Sequence, residues 1–132
     1  MNVNYICPAC RSYLNAHDYI IFSAKTAKGE RGLILLHPEL GNYTVHHHPE
    51  FKFEQGEVVE FFCPVCGESL SVKQKENFAK ILMTDESGKE FTILFSRVAG
   101  EKSTYKIQGE SIEIFGKDAT KEIDFRNLID FS

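Results

Sequence analysis

Two C-P-x-C pairs constrain this chain more than any other feature of its sequence. They are Cys7-Pro8-Ala9-Cys10 and Cys63-Pro64-Val65-Cys66, and no cysteine is left over. Two thiolates two residues apart on one turn can face a single ion, so two such turns supply a closed tetrahedral shell of sulfur. Backbone N–H groups inside each turn can hydrogen-bond the sulfurs and spread their charge. Proline after the first cysteine sets φ near −65° and removes one N–H. Gly67 follows Cys66, where a positive φ would strain a residue with a side chain, and Arg11 holds the equivalent place in the first pair. Fifty-two residues lie between Cys10 and Cys63, against about 15–20 in a compact four-cysteine pattern. A metal site is therefore expected at Cys7, Cys10, Cys63 and Cys66, with Zn²⁺ as its ion. Iron suits the same four-sulfur shell. Two disulfides are the first alternative, set against the absence of a visible secretion signal before Cys7. Buried free thiols are the second. A thioredoxin-like dithiol is the third, but no helix-like segment follows either pair and one redox pair would leave the other unexplained.

The strings Tyr5-Ile6-Cys7-Pro8-Ala9-Cys10 and Phe61-Phe62-Cys63-Pro64-Val65-Cys66-Gly67 each place the motif after a strand-like run. They resemble the zinc-ribbon superfamily, in which two knuckles at the tips of β-hairpins pinch one zinc ion. The paired C-P-x-C is also similar to the bacterial family named CpXC for that motif. The resemblance covers about residues 3–72. It implies a structural zinc and carries over no catalytic residue.

The rest of the chain reads as short strands. Tyr19–Phe22, Leu33–Leu36, Tyr43–His48, Phe51–Phe53 and Val58–Phe62 are strand candidates, the first β-branched and aromatic and the second a buried apolar run, separated by Gly, Pro and Asn. Ser69–Val72 leaves the second knuckle. Lys73–Phe78 reads as a polar loop or a single helical turn. Ala79–Met83 and Phe91–Phe95 flank the turn Asp85-Glu86-Ser87-Gly88-Lys89 as a hairpin, with Phe91, Ile93 and Phe95 on one face and a mixed set on the other. Thr104–Ile107 and Ile112–Phe115 complete a meander. No segment of 12 or so residues keeps a helical period. No repeat is visible beyond the two knuckles. The expected fold is mainly β: a zinc ribbon with a long insertion between its knuckles, followed by a β-meander. Residues 1–73 form the metal-binding half and residues 74–132 the meander with an apolar tail, the two sharing one core or packing as separate units.

Other residues invite functional readings. His46 and His48 are two apart and would share a face of a strand, with His37 or His17 joining them as a second metal site; a solvated histidine-rich edge is the bland reading. The tail carries Ile123, Phe125, Leu128, Ile129 and Phe131. Large apolar side chains at a terminus need cover, so Phe125, Leu128, Ile129 and Phe131 are candidate interaction residues, docking on the meander, a second copy or a partner. Signatures of hydrolases, P-loops and zinc proteases are absent, and no stretch approaches the roughly 20 apolar residues of a membrane helix. The expectation is a cytoplasmic, non-catalytic protein that binds another protein or itself. A nucleic-acid-binding ribbon, using Arg11, Lys25, Lys28 and Arg31 with Tyr13 and Tyr19 for stacking, is the alternative. A switch in which thiolate oxidation ejects the metal is another.

Charge weighs on the nucleic-acid reading. The chain has 19 Asp+Glu against 15 Lys+Arg, a net charge of −4, and a four-thiolate zinc centre adds two further negative charges. Titration of DNA or RNA at about 150 mM salt should therefore give a Kd weaker than about 1 µM. A submicromolar value would put nucleic acid ahead of protein as the partner.

Overall fold

The computed structural model describes residues 3–73 and 75–119. Their regular structure is almost entirely β. The strands are β1 (Asn4–Ile6), β2 (Asn15–Ala16), β3 (Tyr19–Lys25), β4 (Arg31–Leu36), β5 (Val45–His47), β6 (Glu60–Phe62), β7 (Ser71–Val72), β8 (Lys75–Thr84), β9 (Glu90–Ser96), β10 (Thr104–Gln108) and β11 (Ser111–Phe115). They form two antiparallel sheets. The larger has the order β1-β8-β9-β10-β11 with β7 also beside β8; the smaller has the order β2-β3-β4-β5 with β6 also beside β3. Among the described residues no helix is long and apolar enough to cross a membrane.

Period-2 alternation sets the faces. In β3 the residues Ile20, Phe22 and Ala24 are buried and those between them are half-buried. Ile81 and Met83 of β8, Ile34 of β4 and Ile93 of β9 join them in one cluster that takes residues from both sheets. Three aromatic rings close it. Phe22 and Phe61 of the smaller sheet lie 5.4 Å apart, and Phe95 of the larger sheet lies 5.6 Å and 5.2 Å from them. Rings at such separations attract beyond the area they bury. The alternate face of the larger sheet is buried as well: Leu94, Tyr105, Ile107, Phe78 and Val72 form a second cluster with Ala119. The Tyr105 hydroxyl donates to the Ala119 carbonyl there.

The repeat extends well beyond the two knuckles. Each knuckle is entered by a short strand (β1 or β6) and left by another (β2 or β7), and a long hairpin follows (β3–β4 or β8–β9). The hairpin turns match bond for bond. Gly29 N donates to Thr26 O and Thr26 N to Glu30 O; Gly88 N donates to Asp85 O and Asp85 N to Lys89 O. Both glycines take positive φ, at 89° and 84°, the conformation glycine adopts without cost. The next loops match too: Asn42 N donates to Glu39 O, and Glu101 N to Val98 O. So do the strands after them, with Val45 opposite Leu36 and Thr104 opposite Phe95. The segment between the knuckles is thus the body of a first copy, and the meander contains the body of a second.

The two copies exchange strands. β1 pairs with β8, the long strand after the other knuckle, and β6 pairs with β3. The exit strands stay home, β2 on β3 and β7 on β8. Swapping the copies maps each of these pairings onto another, so the molecule has an approximate two-fold axis between its sheets.

Two local expectations are corrected. Among the described residues of Lys73–Phe78 there is no helical turn, because β8 begins at Lys75 and runs ten residues, pairing with β7 and β9. Phe51–Phe53 is not a strand. Phe51 instead lays its ring over Gly32 of β4, where an added Cβ would sit 2.5 Å from the ring's Cγ, and its neighbour Phe53 stacks 4.7 Å from the His47 ring. Ring burial over a bare backbone replaces strand pairing here. Gly32→Ala should therefore destabilise the fold by about 1–3 kcal/mol, the usual range for overpacking, measured by denaturant unfolding. In a Phe51→Ala background the same substitution should cost little, and additive costs would show that the ring does not set the requirement for glycine.

Candidate metal centre

The knuckles are built by their entering strands. Tyr5 and Phe61 bury their rings in the common core, which leaves Cys7 and Cys63 two residues on, at the point where each chain turns back. Leu14 N donates to Tyr5 O, and Leu70 N to Phe61 O, so each knuckle closes on its own entering strand. Within the turns Arg11 N donates to Cys7 O at 2.9 Å and Gly67 N to Cys63 O at 2.9 Å. Both closing residues have positive φ, 64° at Arg11 and 78° at Gly67. Arg11 takes this conformation despite its side chain, and its guanidinium is paired with Glu90 at 2.7 Å.

Exchange of the entering strands brings the knuckles together. Cys7 Sγ lies 3.8 Å from Cys66 Sγ, and Cys10 Sγ lies 3.8 Å from Cys63 Sγ. All four sulfurs are within 4.8 Å of one another. Each 3.8 Å contact joins the first cysteine of one knuckle to the second of the other, so the approximate two-fold axis runs through the cluster. A tetrahedron with metal–sulfur bonds of about 2.3 Å has edges of about 3.8 Å. A disulfide needs sulfurs at about 2.05 Å, and all four cysteines are free. The cysteines therefore form a group that can hold one metal ion, and sulfur donors favour zinc, iron–sulfur and copper(I) chemistry over magnesium or calcium.

The sulfurs divide into an inner and an outer pair. Cys7 and Cys63 are buried, Cys10 is half-buried and Cys66 is exposed. The inner sulfurs accept backbone hydrogen bonds: Cys7 Sγ from Ala9 N at 3.3 Å and Cys10 N at 3.5 Å, Cys63 Sγ from Val65 N at 3.4 Å and Cys66 N at 3.5 Å. Such donors stabilise a buried thiolate once a metal offsets its charge. Without one, burial pushes the Cys7 thiol up to about 12. Cys10 goes the other way, down to about 6, because the Ser12 hydroxyl and backbone hydrogen-bond its sulfur.

The histidines do not assemble. Among the described residues the cysteine quartet is the one group of three or more His, Cys, Asp or Glu with ligand atoms close together. His37 Nδ1 accepts from Glu39 N at 3.0 Å, and His48 Nδ1 accepts from Glu50 N at 3.0 Å. His46 packs edge-on against Tyr19, with ring centroids 5.1 Å apart. His17 closes the β2–β3 turn with φ 54°. Phe125, Leu128, Ile129 and Phe131 lie outside the described residues. Sequence reasoning missed the space between the sheets, whose lining comes from strands and loops far apart in the chain. No family model, curated protein or solved structure matches the chain.

Metal must displace protons from these thiols, which sets the direction of its pH dependence. The Cys7 proton is held in the metal-free fold up to about pH 12, so binding releases it at every pH below that. The Ser12 hydrogen bonds shift Cys10 the other way, so it releases less of a proton on binding. Apparent affinity should therefore fall at least about tenfold for each unit of acidification between pH 8 and 6, read by competition with a chromogenic chelator. An affinity flat across that range would mean the inner sulfur is not a ligand. Cys63→Ser or strong chelation should strip amide-exchange protection from both knuckles, since each holds the other through the ion.

Proposed function

We propose that the protein is a non-catalytic zinc-binding protein in which one Zn²⁺, held by Cys7, Cys10, Cys63 and Cys66, clamps the two copies together. The observation that carries this reading is the cluster of four sulfurs within 4.8 Å of one another, two of whose separations are 3.8 Å, the edge that zinc–thiolate bonds require. Four thiolates complete the shell and leave no open position for a substrate or an activated water, which supports a structural role for the metal. Free thiols also suit a reducing, cytoplasmic setting.

The work of such a molecule is binding, and another protein is the partner its surface favours. Tyr13 and Val65 are 67% and 65% exposed. One follows the first knuckle and the other sits inside the second, so both side chains are presented beside the cysteine cluster. β5 ends the smaller sheet and its three residues are exposed, which offers a strand edge for pairing. The nucleic-acid alternative loses support from the basic side chains themselves: Arg11 is paired with Glu90 and the Arg31 guanidinium lies 5.3 Å over the Phe62 ring. A thiol switch keeps one observation in its favour, the exposure of Cys66 at the edge of the cluster.

Metal analysis of the purified protein, coupled to thiol counting, tests the reading. One Zn²⁺ per chain is expected, with four thiols that react only after a chelator is added. Iron in that stoichiometry would replace the ion and keep the clamp; two disulfides and no metal would end the proposal. If Cys66 reacts with peroxide while zinc is bound and the ion is then lost, the switch takes precedence. Tyr13→Ser with Val65→Ser should leave zinc content and melting temperature unchanged and remove proteins that wild type retains from extract.

A further inference from the structure

Between the sheets, on the approximate two-fold axis, lies a cavity of about 420 Å³. None of the four cysteines lines it. Its apolar floor is the half-buried Leu36, Leu40, Phe53 and Phe95, which overlie the fully buried Phe22, Ile34, Ile81 and Ile93. Its rim is made by the matched loops that follow β4 and β9, where Glu39, Gly41, Gly100 and Lys102 are exposed. The Tyr43 hydroxyl ties one rim to the other sheet, lying 2.8 Å from Thr104 Oγ1 and donating to Phe115 O at 3.2 Å. Pockets that hold small molecules have this size and this combination of apolar floor and sparse polar rim. They form preferentially at interfaces between structural units, and here the units are the two copies.

Among the described residues, one polar group at the rim is left unsatisfied. Glu101 lines the cavity, and its Oε1 is shielded from solvent with no hydrogen-bond partner. Its counterpart in the first copy is Asn42, whose Oδ1 accepts from Thr44 N at 3.1 Å and Thr44 Oγ1 at 2.7 Å. The two copies therefore differ at this rim position, and the difference is an acceptor without a donor. An ionised carboxylate can only accept hydrogen bonds, and leaving it shielded and unpaired costs stability. A ligand that brought N–H donors and a positive charge would supply what the chain does not.

We propose that this cavity binds a small amphipathic amine, with its apolar body against the core floor and its ammonium on Glu101. The inference goes beyond the zinc reading and holds whichever ion the cysteines carry. The chain's own terminus is the competing occupant. However, Ala119, the last described residue, packs with Val72, Phe78 and Tyr105 on the opposite face of the larger sheet.

Full-length protein of measured metal content, titrated calorimetrically with octylamine, octanol and octanoate, tests the proposal. Octylamine should bind and raise the melting temperature, and octanoate should bind at least about tenfold more weakly. Glu101→Gln should weaken octylamine about tenfold and leave octanol unchanged. Ala99→Trp at the half-buried rim should block all three, and because the two variants act independently, failure of one to fold leaves the other informative. No binding by any probe would overturn the site. Equal binding of octanoate, or an octylamine affinity indifferent to Glu101→Gln, would overturn the amine. Binding that appears only after removal of residues 120–132 would assign the cavity to the tail. Metal content is read in the same samples, so a negative result here leaves the zinc centre standing.

Discussion

Strand exchange between the two copies is the constraint on which the rest depends. β1 leaves its own copy to pair with β8, and β6 leaves its own to pair with β3. Had each entering strand paired at home, the knuckles would close separate units and present two sulfurs apiece. Exchanged, they place the first cysteine of each knuckle 3.8 Å from the second cysteine of the other. A metal there bridges strands that belong to different sheets. Such a cross-link would act on the relative position of the sheets, in a domain small enough to gain from a metal.

The same axis accounts for what lies between the sheets. Two copies related by an approximate two-fold meet like to like, so core side chains face core side chains and matched loops face matched loops. Phe22, Phe61 and Phe95 fill part of the junction, and the cavity takes the remainder. Asymmetry enters where the copies differ. Arg11 reaches Glu90, whereas their counterparts are Gly67 and Arg31 and make no such pair. Glu101 lines the cavity with its Oε1 unpaired where Asn42 is satisfied. Chemistry that distinguishes one end of a ligand from the other can arise only at such departures from symmetry.

The expectations that failed did so for tertiary reasons. Phe51-Lys52-Phe53 has the composition of a strand, but the bare backbone of Gly32 gave Phe51 a better place to bury its ring. Lys73–Phe78 is polar enough to pass for a loop, yet β7 and β9 flank β8 on both sides and extend it. The histidines allow two readings, a solvated edge or a second site, and His46 and His48 have the spacing of a ligand pair. A chelate also needs a third donor on a neighbouring element, and His37 instead accepts a bond from Glu39 within its own loop.

By itself the sequence determined the cysteine quartet, the strand-rich character and the turn glycines. Each is coded by residue identity over a few positions: thiols for a soft metal, alternating apolar residues for a half-buried strand, glycine for positive φ. Only the tertiary structure decided that the chain is two copies of one unit, that they trade entering strands, and that the sulfurs meet. The copies share the cysteines, the prolines after them and a few apolar residues and glycines, but Phe22 stands where the other copy has Ile81, and Thr26 where it has Asp85. An inward position asks for apolar volume and a turn asks for a short acceptor, so many identities satisfy the same geometry. The duplication is therefore written in hydrogen bonds and burial, and pairing between strands distant in sequence is settled by which sheet buries them best.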